Sequence, residues 1–360
     1  MTSIVAVLAV LGAPQQGGFA WYELAGVTEP GRKTALRIPY EPLPAPKRSP
    51  LIEGGFHRTV TGMAQLRGQF VPRFRVFRQQ VSGKPEEDVS AGAARLLLRL
   101  WEVNYYRLRL DHSLEYQLQT VDAYLCDGGK PGGEHRFTVD KDDRTPGGSP
   151  AKVNTVHIYD VGGLTKPAEW FRELAHEYGH ATLPPVRVEG GPETWANGDL
   201  GERLYAVWML GLMREGKASP ADAMGASAED LEAYVEAKVR PLVGKVASNG
   251  PDAEALAGHG QAAYDAYLGL ACHAQAVLPP SVFARSLVLA DDQSPGAYLR
   301  ATVAAAEEAA EWTPRAPAGK ASWLPLGRSK LRGGTVIERR DGWAKVRLSE
   351  GAAVFGGAAL

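Results

Sequence analysis

The segment His176-Glu177-Tyr178-Gly179-His180 places two histidines four residues apart, with a glutamate directly after the first. On an α-helix, four residues rise about 6 Å and turn just over one full circle, so both imidazoles project from one face. Two imidazoles in that relation can grip one divalent metal ion. Glu177 sits about 100° round the helix from His176, to the side of the pair. Its carboxylate is therefore placed to take a proton from a water activated by the metal. One pentapeptide offers two ligands and a general base.

A helix must present these groups, and the flanking residues predict one. Pro167 stands near its start, where proline is tolerated, and Pro184-Pro185 ends it. Trp170, Phe171, Leu174 and Tyr178 give it an apolar side, and Glu177 is the one charged residue between Leu174 and Thr182. The alternative is a helix with two incidental histidines and a solvated glutamate. A charge-poor helix gives no other reason for this trio.

A catalytic zinc takes a third protein ligand and keeps one position open. The metzincin pattern would put a glycine and a third histidine close behind, but Leu183 and Val186 hold those places, and the next histidine is His259. A carboxylate is the better candidate, and Glu193, Asp199 and Glu202 are near. Glu193 lies in the glycine-rich loop Gly190-Gly191-Pro192-Glu193-Thr194, where a solvated carboxylate needs no explanation. Glu202 lies on a helix, expected over Asp199–Met213, that is apolar nearly all round and so buried. A buried carboxylate is costly unless paired or metal-bound. The competing account of Glu202 is a capping box, Asp199-x-x-Glu202. The assigned set is His176, His180 and Glu202 on Zn2+ with Glu177 as base; Asp199 is left as a candidate partner for orienting a ligand histidine, or as a rival third ligand.

His176-Glu177-x-x-His180 followed by a helical Glu202 resembles the gluzincin group of zinc metallopeptidases. The order helix, strand, strand, HExxH helix, glutamate helix is similar to the zincin fold, over about residues 87–215. The resemblance implies an α+β architecture with a mixed sheet and a helical lower subdomain. It implies a zinc-dependent peptidase acting on a peptide or protein. It also implies that the strand of His157 and Tyr159 borders the cleft and pairs with an extended peptide. The motif Asn-Glu-x-x-x-Asp of some gluzincins is absent, since Gly201 precedes Glu202 and Ala206 follows it by four. No particular peptidase family follows. Tyr205, His259, Tyr264 and Tyr267 are available as oxyanion donors, and none is assigned.

Around this core the chain reads as five parts. Residues 1–13 contain the apolar run IVAVLAVLG and a small-residue site, read as a signal peptide, which places the protein as secreted or periplasmic. The alternative is a buried first strand. Residues 14–86 are β-rich, with strands expected at 34–38 and 74–78 and a proline loop at Pro42, Pro44, Pro46 and Pro50. Residues 87–215 form the zincin-like part: a helix over about 87–108, strands at 119–126 and 154–160, and a loop over 127–150 between them. Residues 216–313 are Ala-rich and helical. Residues 323–360 form a small β module with a turn at Asp341-Gly342. Its Gly342-Trp343-Ala344-Lys345-Val346 resembles bacterial Src-homology-3-like domains, which implies a cell-wall peptide or protein ligand.

A formal net charge of -1 implies no strong field for nucleic acid, and no stretch is long and apolar enough for a transmembrane anchor. Two cysteines, Cys126 and Cys272, exclude a disulfide scaffold and leave one bridge or two thiols open. Two rival functions stand beside the peptidase. One is a non-catalytic secreted zinc- or peptide-binding protein on a zincin scaffold. The other is a non-peptidase zinc amide hydrolase with Cys126 as third ligand in the manner of peptide deformylases, although Tyr124-Leu125-Cys126-Asp127 lacks their surrounding motif.

Overall fold

The alternating segments of the first half assemble into one mixed sheet. The computed structural model describes residues 19–29, 31–39, 47–49, 51–52, 55–79, 89–110, 120–144 and 150–357. The expected signal peptide and the loop prolines at 42, 44, 46 and 50 lie outside these residues. The sheet comprises β1 (Phe19–Ala25), β2 (Lys33–Pro39), β3 (Lys47–Arg48), β4 (Gly55–Leu66), β5 (Gln69–Gln79), β6 (Val121–Leu125), β7 (Gly132–Arg144) and β8 (Pro150–Tyr159). Its order is β1-β2-β4-β5-β6-β8-β7, with β3 paired to β4. The pairs β5–β6 and β6–β8 are parallel and the others antiparallel. The β4–β5 hairpin turns on Arg67 and Gly68, both at positive φ (50° and 81°), as a tight turn matched to strand twist requires.

Helix α1 (Ser90–Glu102) lays an apolar face on β2, β4 and β5. Its Leu96, Leu97, Leu98 and Leu100 are fully buried, each contributing roughly 1.5–3 kcal/mol of burial. The chain continues as a π-helical turn over Val103–Leu108. Helix α2 (Pro167–Thr182) carries the HEYGH segment and packs on α1, β7 and β8. Helix α3 (Asn197–Arg214) follows. The Ala-rich stretch is helical as expected: α4 (Ala228–Lys238), α5 (Arg240–Asn249), α6 (Ala253–Ala257), α7 (Gly260–Val277), α8 (Pro280–Leu289) and α9 (Pro295–Glu308). A four-stranded antiparallel sheet closes the described chain: β9 (Glu311–Trp312), β10 (Ala321–Pro325), β11 (Lys330–Arg340) and β12 (Trp343–Phe355). Asp341 and Gly342 join β11 to β12 at φ 53° and 78°. Trp343, the residue on which the Src-homology-3 resemblance turns, is fully buried.

The protein is thus α+β with a mixed sheet. It forms two compact units. One holds the large sheet, α1, α2 and Tyr205–Glu232; the other holds Leu183–Leu204 and the chain from Ala233. Among the described residues no helix is long and apolar enough to cross a membrane.

Two expectations are corrected. The loop expected over residues 127–150 contains the strand β7. Its glycines and charges suit an edge position, where one side faces solvent and charge guards against further pairing. The strand of His157 and Tyr159 is not a border: β8 lies between β6 and β7 and its main chain is paired on both sides. The outer strand is β7.

Candidate metal centre

Helix spacing brings the two histidines together as the pattern predicts. The Nε2 atoms of His176 and His180 are 3.2 Å apart, with the rings at 77° to each other. Two ligand atoms at 2.0–2.1 Å from a tetrahedral zinc stand about 3.3 Å apart, so the pair fits a shared ion. Glu177 is buried, at 3% exposure, and its side chain lies against Gly133 of β7.

The rest of α2 anchors these groups. Tyr178 is fully buried between the rings of Phe74 and Tyr205, at centroid distances of 5.7 and 5.6 Å. At the last turn, Thr182 donates its hydroxyl to the Tyr178 carbonyl (2.6 Å) and accepts from Asn104 Nδ2 (3.1 Å). Tyr205 donates its hydroxyl to Asn104 Oδ1 (3.0 Å). Of the four oxyanion candidates, Tyr205 is therefore committed to holding the helix end. Tyr267 is buried against Tyr298, and His259 precedes α7 without capping it.

Sequence reasoning missed His135. It lies on β7, and Asn154 of β8 ties it to the helix. Asn154 donates its Nδ2 hydrogen to the Ala181 carbonyl (3.2 Å), which leaves Oδ1 to accept from His135 Nε2 (2.7 Å). Burial outweighs the bond to Asn154 and pushes the His135 imidazole down to about 4, so it is neutral at pH 7. The signal available in the sequence was the alternation Gly133, His135, Phe137, hidden in a stretch read as loop.

The three candidate carboxylates differ in setting. Glu193 is half-buried rather than solvated. Its loop is braced by Val188 N–H to the Thr194 carbonyl (2.9 Å) and Ala196 N–H to the Val186 carbonyl (3.0 Å). Helix α3 starts at Asn197, so Asp199 lies inside the first turn, where Oδ1 pairs with Arg203 Nη1 at 2.8 Å. That position displaces the capping-box account, in which Asp199 would precede the helix. Burial, and then the charges of Asp199 and Glu193, raise the pKa of Tyr264 well above the usual tyrosine value. It stays protonated. Glu202 is buried, as expected of its apolar helix.

Ligand atoms of His176, His180 and Glu193 all lie within 4.8 Å of one another, a group that could hold a metal ion. Among the described residues a second such group is His176, Asp199 and Glu202. Both histidines thus come together with Glu193, while Glu202, the residue favoured by the sequence, groups with one of them. Cys126 belongs to neither. It is a free thiol buried with Phe56, Phe77 and Tyr124, and burial, then Asp127, push it up to about 12. Cys272 is also free and buried.

No protein-family model, curated protein or solved structure matches this chain.

Proposed function

We propose that the protein is a zinc-dependent peptidase of gluzincin type. The observation that carries this reading is the convergence of His176 and His180 at 3.2 Å beside the buried Glu177. Two imidazoles and a carboxylate are a donor set that zinc takes at hydrolytic sites. A zinc ion held there supplies Lewis acidity, activating water and polarising a carbonyl.

The chain's own residues do the rest. Glu177 accepts the proton released when water attacks the peptide carbonyl and returns it to the leaving amine. Burial keeps its carboxylate in a fixed place. Among the described residues β7 pairs with β8 alone. Its other edge is available to an extended substrate chain through main-chain hydrogen bonds. For the third ligand, grouping with both histidines favours Glu193, and Glu202 is the competing carboxylate.

Metal analysis of the purified protein, paired with turnover of a peptide library, tests the reading. Stoichiometric zinc is expected, with hydrolysis reduced about 10²- to 10⁴-fold in Glu177→Gln. Zinc without turnover of any peptide would favour the binding-protein alternative. Absence of bound zinc in protein purified with zinc present would overturn the metal centre.

A further inference from the structure

A glycine inside a strand weakens it, so Gly133 calls for a reason. The preceding Gly132 has one, since it sits at φ 130°, a conformation that L side chains rarely adopt. Gly133 has no such φ. Its reason is space. A Cβ at Gly133 would stand 2.5 Å from Glu177 Oε1 and 2.6 Å from Glu177 Cδ, and nearer still to Cγ. These are contacts that real Cβ atoms essentially never make, so something must shift. The strand is held on its inner side, where Gly133 is in register with the fully buried Ile158. The movable party is the Glu177 side chain, and the clash reaches down its stem rather than touching its tip alone.

We propose that Gly133 is a positioning residue: the space left by its missing side chain is where Glu177 is held, so β7 sets the place of the general base. The catalytic consequence rests on the peptidase reading; the packing does not. Substitution at Gly133 displaces Glu177 while leaving His176 and His180 on their helix.

A double-mutant cycle on the full chain tests the packing by thermal unfolding. Gly133→Ala should lower the melting temperature by about 2–4 °C, the shift that roughly 1 kcal/mol produces in a domain of this size. In a Glu177→Ala background the same change should leave it unchanged or raise it. An equal drop in both backgrounds overturns the proposal. Gly128→Ala, where an added Cβ meets nothing within 4 Å, serves as the control and should be neutral. For the zinc-loaded protein, Gly133→Ala should keep its metal and its KM and lose at least about tenfold in kcat, as displacement of a general base demands. Unchanged kcat beside a positive cycle overturns the positioning role. A wild-type protein without zinc or turnover would sink the peptidase reading instead, and the cycle would still decide the packing.

Discussion

Helix α2 and strand β7 pack on each other, and they contribute to the site in opposite ways. The helix contributes atoms: two imidazoles and a carboxylate, placed by a four-residue spacing that any reader of the chain can see. The strand contributes absence and support: a glycine that leaves room for Glu177, and a histidine tied through Asn154 to the end of the helix. Chemistry is written in residue types, whereas the space it needs is written in contacts. The largest expected effects therefore fall on α2. His176→Ala and His180→Ala should each abolish zinc binding and hydrolysis, measured by metal analysis and peptide turnover. Glu177→Gln should keep the metal and lose about 10²- to 10⁴-fold in rate, the usual contribution of a general base. Full metal content in both histidine variants would remove α2 from the comparison altogether.

The next effect decides which carboxylate completes the set. Glu193→Ala should weaken zinc affinity by more than about 100-fold, beyond the 10- to 100-fold typical of a residue that only orients a ligand. Glu202→Ala and Asp199→Ala should fall within that smaller range. Titration with a competing chelator would measure all three. The reverse ranking would return the third ligand to α3, where the apolar character of the helix first placed it.

What was legible follows the same division. The helices at α1, α2 and α3 and the strands at β2, β5, β6 and β8 announced themselves through periodicity, because burial on one face imposes it. HEYGH was legible because its residue types and their spacing lie within one element. Strand β7 was not: Gly132, Gly133 and its charges mimic a loop, and only pairing with β8 makes it a strand. The choice among Glu193, Asp199 and Glu202 was not legible either. Local context suggested solvation for Glu193 and burial for Glu202; Glu193 is half-buried and Glu202 is buried, but proximity to two histidines is a tertiary fact. His157 drew attention as a strand histidine, yet it stacks on Tyr124 at 4.7 Å and bonds Ser49 Oγ at 2.8 Å on a strand with no free edge.

A smaller effect separates the site from the scaffold beneath it. Asp222 accepts from Arg95 Nε (2.9 Å) and Arg99 Nε (2.7 Å). Burial alone would raise its carboxyl, but the two guanidinium groups outweigh it and hold the group at about 2, below the ordinary 3.8. Its contribution, about 2 kcal/mol, is present in full above about pH 4 and is lost as pH falls towards 2. Unfolding followed across that window should show the loss, and Asp222→Asn should flatten it. Zinc-free protein should behave alike, since this network does not involve α2 or β7.

An effect of similar size probes the tie between strand and helix directly. His135→Ala removes the donor to Asn154 Oδ1 and leaves a fully buried acceptor without that bond. The cost should be about 1–3 kcal/mol of stability, the usual penalty for an unmet buried polar group. Zinc content should not change, because His135 belongs to neither metal group. Asn154→Ala cuts the same chain one link closer to α2, where its Nδ2 meets the Ala181 carbonyl. If β7 supports the site through this chain, the two substitutions should be non-additive, since each breaks what the other depends on. Additive losses would mean that His135 and Asn154 stabilise strand and helix separately. The strand's part in the site would then reduce to the space at Gly133.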